Sequence, residues 1–213
     1  MPNISRRALT LVEAVGLGVC IAAYIWKLQT THPNFWMVFP LWLLASFAVH
    51  RDNPKTLGWR ADNLWSSVLL GWKIFLAFAA AAVAAAFFFG AYRHWPPHFA
   101  HSQRFLGYFA FCLLQQVGLN SYMTNRLVYA LESSTSSSLL TAFIFAALHW
   151  PNPVLVPLTF VGGALMSWLF AKERNIIPLA FGQAIIGALV WWAVPVAWHH
   201  GMRVGPGFYS FHP

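Results

Sequence analysis

The chain has 213 residues, of which 59% are hydrophobic and only 8% are charged, and its formal net charge is +8. Soluble domains carry about a quarter charged residues, so this composition excludes an ordinary water-soluble fold and predicts that lipid is the solvent. The positive charge does not indicate nucleic-acid binding, because the Lys and Arg residues are scattered over short connections and form no stripe on one face.

Seven apolar stretches follow one another along the chain, and most approach the roughly 20 residues that a helix needs to cross a bilayer. They are predicted near 9–26, 34–50, 64–92, 104–131, 138–149, 154–171 and 176–198. Prolines at 151, 153 and 157 separate the fifth stretch from the sixth. The sequence therefore predicts an all-α integral membrane protein with a single domain, 1–213, built as a bundle of about seven to eight transmembrane helices.

Basic residues are distributed unequally between the two sides of the predicted bundle. If the spans alternate, eight Lys and Arg residues lie on the side of the N-terminus and four lie on the other side. Cytoplasmic loops are enriched in these residues, so we predict a cytoplasmic N-terminus. Cys20 and Cys112 both lie within spans, which indicates small packing residues and no disulfide framework.

Glu13 is the acidic residue nearest to the middle of a predicted span, so it must be protonated, paired or facing a cavity. Lys73, in the third span, is a candidate partner. Alternatively, both side chains extend to the membrane surface. If Glu13 instead faces His149, it supplies a carboxylate to that histidine.

Six histidines are predicted on the side of the membrane opposite the N-terminus. They are His94, His98, His101, His199, His200 and His212. Several imidazoles can bind zinc, but Pro96 and Pro97 prevent a regular helix from aligning the first two, and no Cys or carboxylate is near in sequence. We therefore favour histidines packed among interfacial aromatic residues, and we predict no metal site and no cofactor.

Five hydrogen-bonding side chains lie within otherwise apolar later spans. They are Gln115, Gln116, Asn120, His149 and Gln183. Gln116 and Asn120 are one helical turn apart on the same face, and Phe145 and His149 repeat that spacing. The amides can simply bridge helices. If they converge instead, His149 is the candidate acid or base, and the amides can hold a water or donate to a developing oxyanion.

The order of these residues resembles the CPBP family of intramembrane proteins, which includes the CAAX prenyl proteases and the Abi-type bacterial proteins. The family's Glu-Glu-x-x-x-Arg-Gly motif aligns with Gln115 to Ser121, and its Phe-x-x-x-His motif is intact from Phe145 to His149. Its late His-x-x-x-Asn motif corresponds to the stretch from Gln183 to Gly187. The resemblance covers about 55–190, begins with Leu-Gly-Trp-Arg at 57–60, and implies a bacterial plasma membrane.

The resemblance implies a glutamic-type intramembrane peptidase, but Gln115 and Gln116 stand where the family has its glutamates. A neutral amide cannot take a proton from water, and loss of a general base costs about 10² to 10⁴ in rate. Three functions stay open. The first is a divergent peptidase with His149 as base, the second is a non-hydrolytic isomerase or cyclase with His149 as proton shuttle, and the third is a catalytically silent binding protein.

The candidate site therefore comprises a catalytic group and a substrate-binding group. His149, Gln115, Gln116 and Asn120 are the candidate catalytic residues. Asn152, Gln183 and Phe145 are the candidate substrate-binding residues, with Asn152 orienting the imidazole and Phe145 packing against it. The expected partners are the lipid bilayer and a hydrophobic peptide, lipid-linked or small-molecule substrate.

Overall fold

The computed structural model describes residues 4–93 and 102–212. Three helices precede residue 94, and they are α1 (Ile4–Ala23), α2 (Val38–Val49) and α3 (Leu64–Phe88). A π-helical turn, Tyr24–Leu28, extends α1, and the 3-10 turn Pro33–Met37 leads into α2. The 3-10 turn Ala91–Arg93 follows α3.

One long helical rod begins the second described part of the chain. It consists of α4 (Ser102–Gln116), the π-helical segment Val117–Thr124 and α5 (Asn125–Leu131). The remaining helices are α6 (Ser134–Ala147), α7 (Leu155–Glu173), α8 (Ile176–Ala193), α9 (Val196–His199) and α10 (Pro206–Tyr209). Short π-helical segments occur often at functional sites, and this one lies beside the candidate glutamines.

Polar side chains mark where the later helices begin. Ser133 Oγ accepts a hydrogen bond from the Ser136 amide at the start of α6, and Asn175 Oδ1 accepts from the Ile177 amide at the start of α8. Such caps satisfy amides that have no partner inside the helix. The connections between these helices are short, so α6 packs along α7 as its antiparallel neighbour.

Packing between helices that are distant in sequence builds the bundle. Helix α8 packs against both α3 and α4, and α1 packs against α5. One apolar core surrounds Phe145, Phe170 and Ile176, and a second surrounds Leu17 and Tyr122. Both cores include residues of the helical rod, Leu119 in the first and Tyr122 in the second, so packing holds the rod in place.

Four segments in the described part of the chain are long and apolar enough to cross a membrane. They are Arg6–Leu28, Leu64–Phe88, Leu155–Glu173 and Ile176–Ala193. Large apolar side chains face outward on these and other helices, including Phe88, which is 84% exposed. The described residues form helices and no strand, which confirms the prediction of an all-α integral membrane protein. The number of crossings stays a prediction.

The connection between α2 and α3 folds back onto the bundle through the Leu-Gly-Trp-Arg segment. Ser121 Oγ donates to the Leu57 carbonyl, and the Gly58 carbonyl accepts from the Ile176 amide at 3.0 Å. Gly58 has a φ of +83°, and a Cβ there would lie 2.7 Å from the Phe170 ring. Only glycine fits this close approach without strain.

Glu13 has different partners from those that the sequence suggests. Its carboxylate accepts from Ser46 Oγ at 2.5 Å, lies 2.9 Å from His50 Nε2, and is 3.9 Å from the Arg126 guanidinium. Arg126 also donates to Asp52 at 2.6 Å. Of the alternatives that the sequence left open, the pairing with Lys73 is therefore wrong, because Glu13 faces α2 and α5. Glu13 is also not among the residues that line the cavity with His149.

Candidate functional site

A cavity of about 920 Å³ lies within the bundle, and its walls are almost entirely apolar. Residues of α1, α2, α3, α4, α6, α7 and α8 line it. Its polar lining residues are Tyr24, Gln29, Tyr108, Gln115, His149, Thr159 and Gln183. The volume is within the range of pockets that enclose a drug-sized ligand, which is about 300–1,000 Å³.

Part of the cavity lining is exposed. Leu44 on α2 and Phe111 and Leu114 on α4 belong to its lining, and they are 64%, 52% and 72% exposed. The cavity therefore reaches the outer surface of the bundle at these side chains.

Four amides from two helices form one continuous hydrogen-bonded chain, the amide chain, across the bundle. Asn120 Nδ2 donates to Gln116 Oε1 at 2.5 Å, and Gln116 Nε2 donates to Gln183 Oε1 at 2.7 Å. Gln183 Nε2 then donates to Gln115 Oε1 at 2.7 Å. Gln115 and Gln183 reach the cavity wall, whereas Gln116 and Asn120 are fully buried behind it.

The direction of the amide chain is set at Met166. Its Sδ lies 3.3 Å from Gln116 Nε2, and a thioether sulfur accepts but cannot donate. Gln116 therefore turns its nitrogen toward Met166 and Gln183, so Gln183 must use its oxygen there and its nitrogen toward Gln115. The Gln115 oxygen consequently accepts a hydrogen bond within the amide chain, and its NH₂ group is the donor available at the cavity wall.

His149 lies one residue beyond the C-cap of α6 and belongs to the cavity lining. Its Nδ1 is 2.6 Å from the Phe145 carbonyl oxygen. A carbonyl can only accept, so Nδ1 carries a hydrogen, and in the neutral imidazole Nε2 has a free lone pair. The Phe145 ring packs edge-on against the imidazole at 4.7 Å. The Phe-x-x-x-His spacing thus sets both the tautomer and the orientation of His149.

Asn152 is fully buried, and all of its hydrogen-bonding capacity is used away from the imidazole. Its Nδ2 donates to the carbonyls of His199 and Arg203, and its Oδ1 accepts from the amides of Val154 and Leu155. Asn152 therefore ties the C-terminal segment to the start of α7. The sequence predicts that Asn152 orients the His149 imidazole. The Phe145 carbonyl bonds the imidazole instead, because the Asn152 side chain turns toward the following helix.

Three residues of this network were not predicted from the sequence. Thr124 Oγ1 donates to Asn120 Oδ1 at 2.9 Å and lies 3.3 Å from Thr141 Oγ1, and Met166 accepts from Gln116. Thr124 continues the four-residue spacing of Gln116 and Asn120, so that spacing could have identified it. Thr141 and Met166 come from other helices and carry no comparable signal.

Among the described residues, the cavity lining carries no charged side chain apart from the ionisable His149. No Lys, Arg, Asp or Glu is among the described residues that line the cavity. Within 4–93 and 102–212, no group of three or more His, Cys, Asp and Glu side chains is close enough to hold a metal ion. His94, His98 and His101 lie outside the described residues, so their predicted packing is not tested.

Comparison with known proteins gives one match. The family model described as type II CAAX prenyl endopeptidase Rce1-like matches residues 103–189, which include α4 to α7 and most of α8. No curated protein and no solved structure matches the chain. The matched range contains Gln115, Gln116, Phe145, His149 and Gln183. Residues 103–189 are therefore similar to the Rce1-like family, which confirms the resemblance indicated by the motifs.

Proposed function

We propose that this protein is an intramembrane enzyme that acts on a hydrophobic, membrane-inserted or lipid-linked substrate, with His149 as its acid and base. The observation that carries the proposal is the His149 imidazole at the wall of the apolar cavity, with Nδ1 bonded to the Phe145 carbonyl and Nε2 left with its lone pair. The similarity of residues 103–189 to the Rce1-like family favours peptide hydrolysis as the reaction.

Each step of hydrolysis has a residue suited to it. His149 Nε2 takes a proton from water as the water oxygen bonds to the carbonyl carbon of the substrate. The resulting oxyanion accepts a hydrogen bond from the Gln115 NH₂ group. His149 then returns the proton to the leaving nitrogen as the carbon–nitrogen bond breaks. No carboxylate takes part in this scheme, which distinguishes it from the glutamic-type mechanism that the family implies.

A second candidate is a reaction without water. No carboxylate is among the described residues that line the cavity, and the NH₂ group of Gln115 suits polarisation of a substrate carbonyl. With that carbonyl polarised, His149 can remove a proton from one atom of the substrate and return it to another. The product is then an isomer or a cyclic form of the substrate.

The test follows the peptides and hydrophobic metabolites of the native host by mass spectrometry, comparing wild type with His149→Ala. We expect one product to disappear in the variant. A product that has gained one water supports hydrolysis, and a product of unchanged mass supports isomerisation or cyclisation. His32→Ala is the matched control, because His32 is an exposed histidine that does not line the cavity.

An unchanged set of products in a folded, membrane-inserted His149→Ala variant contradicts both enzymatic functions. A catalytically silent protein that binds a lipid or peptide in the same cavity then becomes the best account. Gln115→Glu provides a second comparison, because it replaces the NH₂ group that donates to the oxyanion with a carboxylate that cannot donate. Under the hydrolytic proposal, this variant should process the same substrate more slowly than wild type.

We also propose a bacterial plasma-membrane location with the N-terminus in the cytoplasm. The excess of Lys and Arg on the side of Arg6, Arg51 and Arg126 supports this orientation. Labelling of single cysteines with a membrane-impermeant maleimide tests it, after replacement of Cys20 and Cys112. A cysteine at Arg51 should react only in opened membranes, and labelling of this site in intact cells contradicts the orientation.

A further inference from the structure

We propose that the cavity selects uncharged ligands, namely a long hydrocarbon chain with a primary-amide or similar head that offers one hydrogen-bond acceptor and one donor. This inference rests on the proposed function of the same cavity and specifies its substrate class. It is carried by the lining of the cavity and by the direction of the amide chain.

The lining offers no charge that could balance a charged ligand. None of its described residues is Lys, Arg, Asp or Glu. The buried charge of Arg126 on the helical rod already has partners. Arg126 donates to Asp52 and Ser46 and lies 3.9 Å from Glu13. An anion in the cavity would require His149 to gain a proton in an apolar wall, and a cation would have no counter-charge at all.

Burial of an unpaired charge costs several kcal/mol even after the protein relaxes, whereas a neutral amide loses little when its hydrogen bonds are replaced. A charged head group would therefore stay at the membrane surface and withdraw its chain from the cavity. An uncharged head can follow the chain inward. The cavity consequently discriminates by charge before it discriminates by shape.

The polar groups at the wall include one donor and one acceptor. The NH₂ group of Gln115 is left as a donor, because its oxygen accepts from Gln183. Nε2 of His149 is left as an acceptor, because Nδ1 donates to the Phe145 carbonyl. A carboxamide carries both complementary groups, an oxygen that can accept from Gln115 and an N–H that can donate to His149. A peptide bond in a membrane-embedded segment offers the same two groups.

Equilibrium binding of four probes tests the inference without any reaction. The probes are tritiated hexadecanamide, hexadecane sulfonate, hexadecyltrimethylammonium and hexadecane, each at the same mole fraction in zwitterionic nanodiscs, with protein-free nanodiscs subtracted. Both charged probes keep their charge at every working pH. We expect the amide to bind the full-length protein at least about tenfold more tightly than any other probe, which corresponds to about 1.4 kcal/mol.

Two variants test the role of Gln115. Gln115→Leu removes the donor without adding charge, so we expect amide binding to fall about tenfold while hexadecane binding is unchanged. Gln115→Glu adds a carboxylate at the wall, so we expect weaker amide binding and a severalfold gain for hexadecyltrimethylammonium. Gln103→Glu, an exposed position outside the cavity lining, is the matched control and should change neither.

Two results overturn the inference. They are sulfonate binding as tight as amide binding, and amide binding that is indifferent to Gln115→Leu. Either result leaves the proposed enzymatic function to its own test, because product formation that depends on His149 does not require charge selection. Conversely, amide selectivity in a protein whose products are insensitive to His149→Ala retains the ligand class and removes the catalysis.

Discussion

Two polar clusters lie on the same helical rod of Ser102–Leu131, and they differ in charge. The charged cluster surrounds Arg126 on α5 and contains Glu13, Ser46, His50 and Asp52. The amide chain runs from Asn120 to Gln115, and Thr124 donates to its first member. Both clusters join helices that are distant in sequence, yet only the amide chain reaches the cavity.

The difference follows from access to water. In the charged cluster, the side chains of His50, Glu13 and Asp52 are 28%, 23% and 12% exposed. In the amide chain, Gln116 and Asn120 are fully buried, and so is Thr124 beside them. Ions need residual solvent as well as partners, whereas amides can satisfy one another completely. Ion pairs can therefore join the helices near the end of the rod, where some solvent remains. Beside the cavity, where solvent is excluded, neutral amides join the helices instead.

The largest expected effect is on the charged cluster, through Arg126→Met. Arg126 is 4% exposed, and its loss leaves Asp52 and Glu13 without their guanidinium partner. Breaking a buried ion pair from one side costs about 3–5 kcal/mol. We expect the free energy of unfolding to fall by that amount in mixed-micelle denaturation. Arg126→Lys keeps the charge and should recover part of the loss. An unchanged free energy of unfolding in Arg126→Met would show that the cluster is not structural.

The second effect breaks the amide chain at its buried centre. Gln116→Leu leaves the Asn120 NH₂ group without its acceptor, and an unsatisfied buried group costs about 1–3 kcal/mol. Gln115→Leu frees only Gln183 Nε2, which lies at the cavity wall and can bind water. We therefore expect Gln116→Leu to lower the free energy of unfolding more than Gln115→Leu does. Equal losses contradict the distinction between buried and cavity-facing amides.

The third effect separates amides that cap helices from amides that serve the cavity. Asn152→Ala and Asn175→Ala each remove a buried cap that also bonds a distant carbonyl, and each should cost about 1–2 kcal/mol. Neither side chain bonds His149, so we expect both folded variants to bind hexadecanamide as wild type does. If Asn152→Ala alone weakens binding, Asn152 supports the imidazole after all.

The smallest effect concerns an ion pair that remains in water, Arg60 with Asp62. The Arg60 guanidinium donates to Asp62 and holds the pKa of this carboxyl below its usual range. A lowered pKa in the folded state adds stability above the usual carboxyl range, and that stability is lost as the pH falls through the lowered pKa. We expect Arg60→Met to raise the pKa of Asp62, as measured by carbon-13 NMR, with almost no change in unfolding. A large loss of stability contradicts the contrast with Arg126.

Several features of the molecule follow from local sequence. The lengths of the apolar stretches predict the helices, since a helix that spans hydrocarbon needs about 20 apolar residues. The four-residue spacing of Gln116 and Asn120, and of Phe145 and His149, predicts contacts within one turn, and both pairs are in contact. The match over residues 103–189 confirms the resemblance, while the roles of the site residues stay predictions.

Contacts between helices were decided only by the tertiary structure. The sequence alone established a membrane bundle with polar groups at unusual depth, because hydrophobic length and helical spacing are local properties. It did not determine that Gln183 joins Gln115 to Gln116, that Glu13 turns toward Arg126, or that Asn152 turns away from His149. These outcomes depend on the rotation and depth of each helix against its neighbours, which are set by the packing of the whole bundle.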